Sequence, residues 1–296
     1  MPDASPLTPA EFVPRKPSSA AQTGVQRCRG SDDRHTFARV SRKPNRRRRE
    51  ELWVLASALL VLAVCGVVPP GPVRIVQPGA VVVALAIAGW AWRQRLESTS
   101  VAVLLAALIT LTRLGVLWQI AMPLSVGALW LSGRMDPRLR IGGFPRGSIP
   151  VLPTLICSAV TPLALVLWVY GARPDLGDLT GAIPDVHPAL LALGAGLFAV
   201  VNAVFEEWIW RGFIQQRSTD LLGVRSGIML QAGSFGLIHA WGFPRGTVGV
   251  LLVGVWALAL GALRQWTGGL RAVIVAHVVA DATVAAIVLL WLRSLP

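Results

Sequence analysis

The chain has 296 residues, of which 54% are apolar and 15% are charged, and its formal net charge is +13. An ordinary soluble domain carries about 25% charged residues, so the composition excludes a typical soluble fold and predicts a polytopic membrane protein. Several of the 12 Trp, among them Trp53, Trp92, Trp118 and Trp291, lie near the ends of apolar runs. Indole rings anchor at the membrane interface, so these positions support membrane spans.

Residues 1–50 form a polar tail that is rich in Pro, Ser and Arg and runs into SRKPNRRRREE. It has too few apolar residues to build a core, so we predict a disordered, basic tail. Lys and Arg collect on the cytoplasmic side of membrane proteins, which places the N-terminus in the cytoplasm and explains the net charge without nucleic-acid binding. A signal peptide with a modified Cys65 is a weaker interpretation, because the apolar run starts far from the N-terminus.

Apolar stretches follow at 52–68, 78–93, 99–133, 149–170, 188–212, 226–241, 247–263 and 270–292. A transmembrane helix needs about 20 residues, so the fold is predicted to be an all-α bundle of eight or nine spans. Four Arg clusters between the stretches fit nine spans if 99–133 is a helical hairpin, and the C-terminus is then external. Residues 51–187 would form the N-terminal transmembrane helices, and 188–296 a separate helical core.

Ionisable side chains concentrate in that last third of the chain, although charge is costly at membrane depth. Such groups usually face the bundle interior or a water-filled cavity, and they are functional candidates by default. The set comprises Glu206, Glu207, Arg211, His239, His277 and Asp281.

Helical spacing predicts how these side chains pair. Glu207 and Arg211 are four residues apart, acid before base, which favours an ion pair on one helix face. Glu206 is rotated about 100° from Glu207 around the helix, so it lies off the face of the ion pair and is available for another role. His277 and Asp281 share the same spacing, and so do Phe235 and His239. A straight helix from Arg225 would carry His239 roughly 20 Å inward, deeper than Glu206, so that helix is tilted or broken near Gly233 and Gly236, or its ends differ.

Three short segments carry these residues: EEWIWR at 206–211, FGLIH at 235–239 and HVVAD at 277–281. They resemble, in order and membrane setting, the EExxxR, FxxxH and HxxxN/D motifs of the CPBP family of intramembrane proteases. This is the CAAX prenyl protease and bacteriocin-processing group, also called Abi. The resemblance covers about residues 188–290, and it implies that 188–296 is the catalytic helical core.

The resemblance implies a role for each motif residue. Glu206 would be the general base that activates a water, and His239 would help to hold that water. His277 and Asp281 would bind the scissile carbonyl and its oxyanion. Glu207 and Arg211 match the second Glu and the Arg of the first motif, and Phe235 would form the pocket wall.

Asp281 departs from members that carry Asn at this position, because an ionised carboxylate repels an oxyanion. Three alternatives stay open: Asp281 is protonated, it orients His277, or it binds a metal. Two His with Glu206 or Asp281 are a reasonable ligand set for a divalent metal such as zinc, although no HExxH is present.

The leading hypothesis is an intramembrane endopeptidase, glutamate-type or metal-dependent, in a bacterial cell membrane. Its substrate would be a membrane-associated protein or a peptide, with or without a lipid modification, and its surroundings would be membrane lipids rather than nucleic acid. Two alternatives from other classes are a non-catalytic scaffold or immunity protein and a proton-coupled transporter, since intramembrane acids also relay protons.

Overall fold

The computed structural model describes residues 46–68, 70–113, 118–135, 147–175, 183 and 185–293, and every regular element within these ranges is a helix. The predicted disordered tail lies mainly outside the described residues. Its last five residues, 46–50, are instead the first residues of a helix. The helical membrane fold predicted from the sequence is confirmed, whereas the number of spans stays a prediction.

Ten α-helices and one π-helical segment are described. The helices are α1 (Arg46–Val67), α2 (Pro70–Arg93), α3 (Glu97–Arg113), α4 (Trp118–Met135), α5 (Val151–Ala172), α6 (Pro188–Glu207), α7 (Gln215–Leu222), α8 (Val224–Ile238), α9 (Gly246–Thr267) and α10 (Arg271–Arg293). The π-helical segment, Trp208–Ile214, joins α6 to α7 without a break. Two helices, α3 and α4, occupy the stretch 99–133 that was predicted to be a hairpin.

Four segments of the described chain are long and apolar enough to cross a membrane: Val151–Ala172, Pro188–Leu222, Gly246–Thr267 and Arg271–Leu290. The first four helices are held together by small and branched apolar side chains, including Ala84, Leu105 and Ala106, which are fully buried. Close packing of such side chains supplies most of the association energy between helices inside a bilayer.

The helix that carries the first motif has clear local signals at both ends. His187 accepts a hydrogen bond from the Ala189 N–H, and Pro188 occupies the first helical position, where its missing N–H costs nothing. The helix continues through the π-helical segment to Leu222, well past the predicted end at 212, and stops at Gly223, whose φ of 91° favours glycine. The sequence EEWIWR therefore lies in the middle of a 35-residue helical run.

Helix α8 is continuous, so Gly233 and Gly236 do not break it. A Cβ on Gly236 would lie 2.8 Å from the Val250 carbonyl oxygen of α9, and a Cβ on Gly66 of α1 would overlap the Leu237 carbonyl. Glycines at these positions let α1 and α9 approach α8 from two sides. Helix α8 is therefore fixed in place between two neighbours, with His239 directly after its last turn.

Candidate active site

Helices α6 and α10 pack against each other and present two pairs of polar side chains. Asn202 and Glu206 are one turn apart on α6, and His277 and Asp281 are one turn apart on α10. The Asn202 Nδ2 donates to Asp281 Oδ2 at 3.1 Å, and His277 Nε2 lies 3.6 Å from Glu206 Oε2. The two helices run antiparallel, so each pair on one helix faces the pair on the other.

A second polar layer lies behind the first and is fully buried. Arg211 Nη1 donates to Glu207 Oε1 at 2.8 Å, and His277 Nδ1 donates to the same oxygen at 2.6 Å. Neither Glu207 nor Arg211 has any exposed side-chain surface. Glu207 therefore orients the imidazole of His277, and Arg211 balances the charge of Glu207.

Aromatic rings enclose this buried layer. The Arg211 guanidinium carbon lies 4.6 Å from the Phe235 ring centroid and 5.7 Å from that of Trp256. Trp256 also meets His277 edge to face, with ring centroids 4.8 Å apart. These rings exclude water from the ion pair, which strengthens its electrostatic interaction.

His239 is placed by the turn that ends α8. Its Nδ1–H donates to the Phe235 carbonyl oxygen at 2.8 Å, and the two rings are 4.7 Å apart. This bond fixes the tautomer and turns the imidazole toward the same cavity that Glu206 lines.

The cavity has a volume of about 610 Å³ and is lined mainly by apolar side chains. Its polar groups include Asn202, Glu206, His239, His277 and Asp281. Glu206 keeps 24% of its side chain exposed, whereas Glu207 next to it keeps none. One carboxylate of the adjacent pair is therefore available to water or a ligand, and the other is not.

The structure brings the predicted site residues together. Glu206, His239, His277, Asp281 and Phe235 all line the cavity, and the Glu207–Arg211 pair lies directly behind it. Their assignment as catalytic residues stays a prediction.

Sequence reasoning missed Asn202, Trp256 and the wall that α5 contributes through Cys157 and its neighbours. The available signal for Asn202 was its position one helical turn before Glu206.

The contacts of Asp281 bear on one of the three alternatives left open for it, namely that it orients His277. Its Oδ1 lies 3.6 Å from His277 Nε2, too far for an ordinary hydrogen bond, and the other ring nitrogen of His277 is bound to Glu207. Glu207, rather than Asp281, makes the hydrogen bond that orients His277, and the role of Asp281 stays a prediction. The partner of Asp281 is Asn202.

The predicted ligand set for a metal was Glu206, His239, His277 and Asp281. Within the described ranges, no group of three or more His, Cys, Asp or Glu side chains is arranged to hold a metal ion. One ring nitrogen of His277 and one oxygen of Asp281 are already engaged by protein groups. His277 Nε2 and Asp281 Oδ1 are not used by these bonds, and a divalent ion such as zinc at this site stays a prediction.

Comparison with known proteins gives one family match. Residues 188–283 match the family described as Type II CAAX prenyl endopeptidase Rce1-like. No curated protein and no solved structure gives a match. The match spans all three motifs, α6, α8, α9 and most of α10, so it includes every predicted site residue. The match supports, over residues 188–283, the CAAX prenyl protease (CPBP) family that was predicted from the three motifs.

Proposed function

We propose that the protein is an intramembrane endopeptidase in which Glu206 activates the attacking water. The observation that supports this proposal best is the difference in burial and bonding between the adjacent carboxylates Glu206 and Glu207. Glu207 is buried and bound to Arg211 and His277, whereas Glu206 reaches a large cavity beside His277. A partly exposed carboxylate in a cavity bounded by apolar walls is well suited to take a proton from water.

The proposed reaction begins when Glu206 accepts a proton from a water held with the help of His239. The water oxygen attacks the scissile carbonyl carbon, and the π electron pair moves onto the carbonyl oxygen. His277, held from behind by Glu207, polarises that carbonyl in its protonated form, in which Nε2–H donates to the carbonyl oxygen. When the tetrahedral intermediate collapses, the carbon–nitrogen bond breaks, and the proton on Glu206 passes to the leaving amine.

The apolar lining of the cavity indicates the class of substrate. A site of this size with a few convergent polar groups binds a mostly apolar ligand and uses the polar groups for orientation and chemistry. We propose a peptide that is membrane-associated or lipid-modified, in agreement with the prenyl endopeptidases of the matched family. We also propose a bacterial cell membrane and a cytoplasmic N-terminus, on the basis of the Arg distribution.

The test compares membranes from cells that express the native chain or Glu206→Gln at matched levels, by mass spectrometry of new peptide N-termini. Glu50→Gln is the control, because Glu50 pairs with the exposed Arg46 on α1 and does not line the cavity. We expect fragments that are present with the native chain and with Glu50→Gln but absent with Glu206→Gln.

Identical N-termini in all three membranes, with all three chains folded, would contradict proteolysis. A proton-coupled transporter would instead show Glu206-dependent uptake with a changed pH profile. A scaffold or immunity protein would keep its activity in the Glu206→Gln variant.

A further inference from the structure

Asn202 brings a carboxamide into a site that is otherwise dominated by carboxylates and imidazoles. It is half-buried on α6 and lines the cavity. Its Nδ2 donates to Asp281 Oδ2 at 3.1 Å, and Glu206 follows one helical turn later on the same helix. The amide therefore lies between the two carboxylates that face the cavity.

This position matters because the proposed reaction moves negative charge. When Glu206 accepts the proton of water, its charge disappears, and a negative charge develops on the carbonyl oxygen. An ionised Asp281 has only acceptor atoms, so it repels that oxygen. The oxyanion needs N–H donors, and His277 supplies one at most from its cavity-facing nitrogen.

Other donors near the cavity are engaged elsewhere or hidden. The Thr161 hydroxyl donates to the Cys157 carbonyl of its own helix at 2.7 Å. The Trp256 indole nitrogen Nε1 is fully buried and is not presented to the cavity. The Asn202 amide has two N–H groups, of which Asp281 uses one.

We propose that Asn202 is a catalytic residue that donates an N–H to the developing oxyanion, and that Asp281 holds its amide in the donating orientation. Asp281 accepts a hydrogen bond from Asn202 Nδ2, which keeps the amide nitrogen on the side of the two carboxylates. A rotation of the amide group that put its oxygen there instead would break this bond. The inference rests on the proposed function. It also gives Asp281 a role that needs neither a metal nor a contact with the oxyanion.

The sequence of events conserves atoms and charge. As the water oxygen bonds to the carbonyl carbon, the proton moves to Glu206 and the π pair moves to the carbonyl oxygen. The neutral Glu206 is a weaker acceptor, so it competes less for the Asn202 N–H that Asp281 does not use, and that N–H is available to the oxyanion. Collapse restores the carbonyl, breaks the carbon–nitrogen bond and transfers the proton from Glu206 to the amine, so Glu206 is ionised again.

The experiment uses the full chain purified in detergent and an internally quenched, farnesylated peptide that ends in a CAAX sequence. New N-termini in cell membranes are measured in parallel. Asn202→Leu removes the amide at nearly constant volume, and Asp281→Asn removes the carboxylate but keeps the Asn202 amide. Thr283→Val is the control, because the Thr283 hydroxyl bonds the Val279 carbonyl of its own helix and does not line the cavity.

Loss of one oxyanion donor lowers kcat by about 100- to 1,000-fold, so we expect this fall for Asn202→Leu with KM little changed. For Asp281→Asn we expect a smaller fall in kcat, of about tenfold or less, because the donor remains. Thr283→Val should cleave at the native rate.

The inference is overturned if folded Asn202→Leu keeps kcat within tenfold of native, or if Asp281→Asn loses more activity than Asn202→Leu. Should Asn202→Leu not fold, Asn202→Ala is judged by the same criteria, and failure of both to fold would show a structural role instead. Cleavage that depends on Glu206 but not on Asn202 defeats this inference alone. Absence of any Glu206-dependent cleavage defeats the proposed function and this inference together.

Discussion

The buried layer behind the cavity gives the sharpest prediction about stability. In Arg211→Met the guanidinium is lost, and Glu207 is left as a fully buried carboxylate whose remaining partner is His277. Breaking a buried ion pair by removing one partner costs about 3–5 kcal/mol. The guanidinium also lies over Phe235 and Trp256, and the lost cation–π contacts add about 0.5–2 kcal/mol. We therefore expect a loss of about 3.5–7 kcal/mol in the free energy of unfolding.

A second substitution separates this loss from the loss of activity. In the double variant Glu207→Leu with Arg211→Met, the unpaired carboxylate is gone, and apolar replacement of a buried ion pair is often neutral. The His277 Nδ1–H then has no acceptor from Glu207, which costs about 1–3 kcal/mol. The double variant should be more stable than the single variant, yet inactive, because nothing holds the imidazole of His277 in position.

Unfolding in mixed micelles with increasing SDS, followed by Trp fluorescence, measures both variants against the native chain. Cleavage is measured on the same preparations. A loss below about 1 kcal/mol for Arg211→Met, as for an exposed ion pair, would refute the reasoning. So would a double variant that is no more stable than the single variant, or one that cleaves at the native rate.

Three further predictions concern the helix contacts, the cavity and the metal. Gly236→Ala should destabilise the protein, because its Cβ would lie 2.8 Å from the Val250 carbonyl oxygen. The control, Gly233→Ala on the same helix, meets nothing within 4 Å and should be neutral or stabilising. Unfolding curves that show Gly233→Ala to be the less stable variant would contradict this prediction. An apolar maleimide should block cleavage by reacting with Cys157 in the cavity wall, and Cys157→Ser should be resistant. Full activity of a native chain whose Cys157 is labelled would place the substrate elsewhere, and equal inhibition of both chains would show reaction at another thiol. If Glu206 alone activates the water, cleavage should persist after dialysis against a chelator, whereas loss of activity that zinc restores would show that a metal is required.

Most site residues could be predicted from the sequence because their side chains are ionisable. A bilayer penalises ionisable groups strongly, so Glu206, His277 and Asp281 stand out against their apolar surroundings. The helical period then gives their neighbours at four residues, and the Glu207–Arg211 contact follows the same rule. Which helices meet across the cavity could not be derived from spacing, and here the family resemblance supplied the expectation.

The features that sequence reasoning missed lack such a signal. Asn202 is neutral, and a lone amide in an apolar helix commonly bonds a neighbouring helix without a chemical role. The π-helical segment has no sequence signature, because one extra residue per turn leaves the apolar pattern almost unchanged. The orientation of Glu207 toward His277 on another helix is a tertiary contact that no local period encodes.

Helix α5 supplies a wall of the cavity but no acidic, basic or imidazole side chain, and it lies outside residues 188–283. The cavity wall on α5 can therefore change independently of the residues of the proposed chemistry, both in evolution and in protein engineering. Side chains along α5, such as Ile156, Val160 and Ala164, can be enlarged or reduced without changing a group that the proposed chemistry uses. New cleavage preferences could arise there by drift or be selected from a library, while the chemical machinery on α6, α8 and α10 is inherited unchanged.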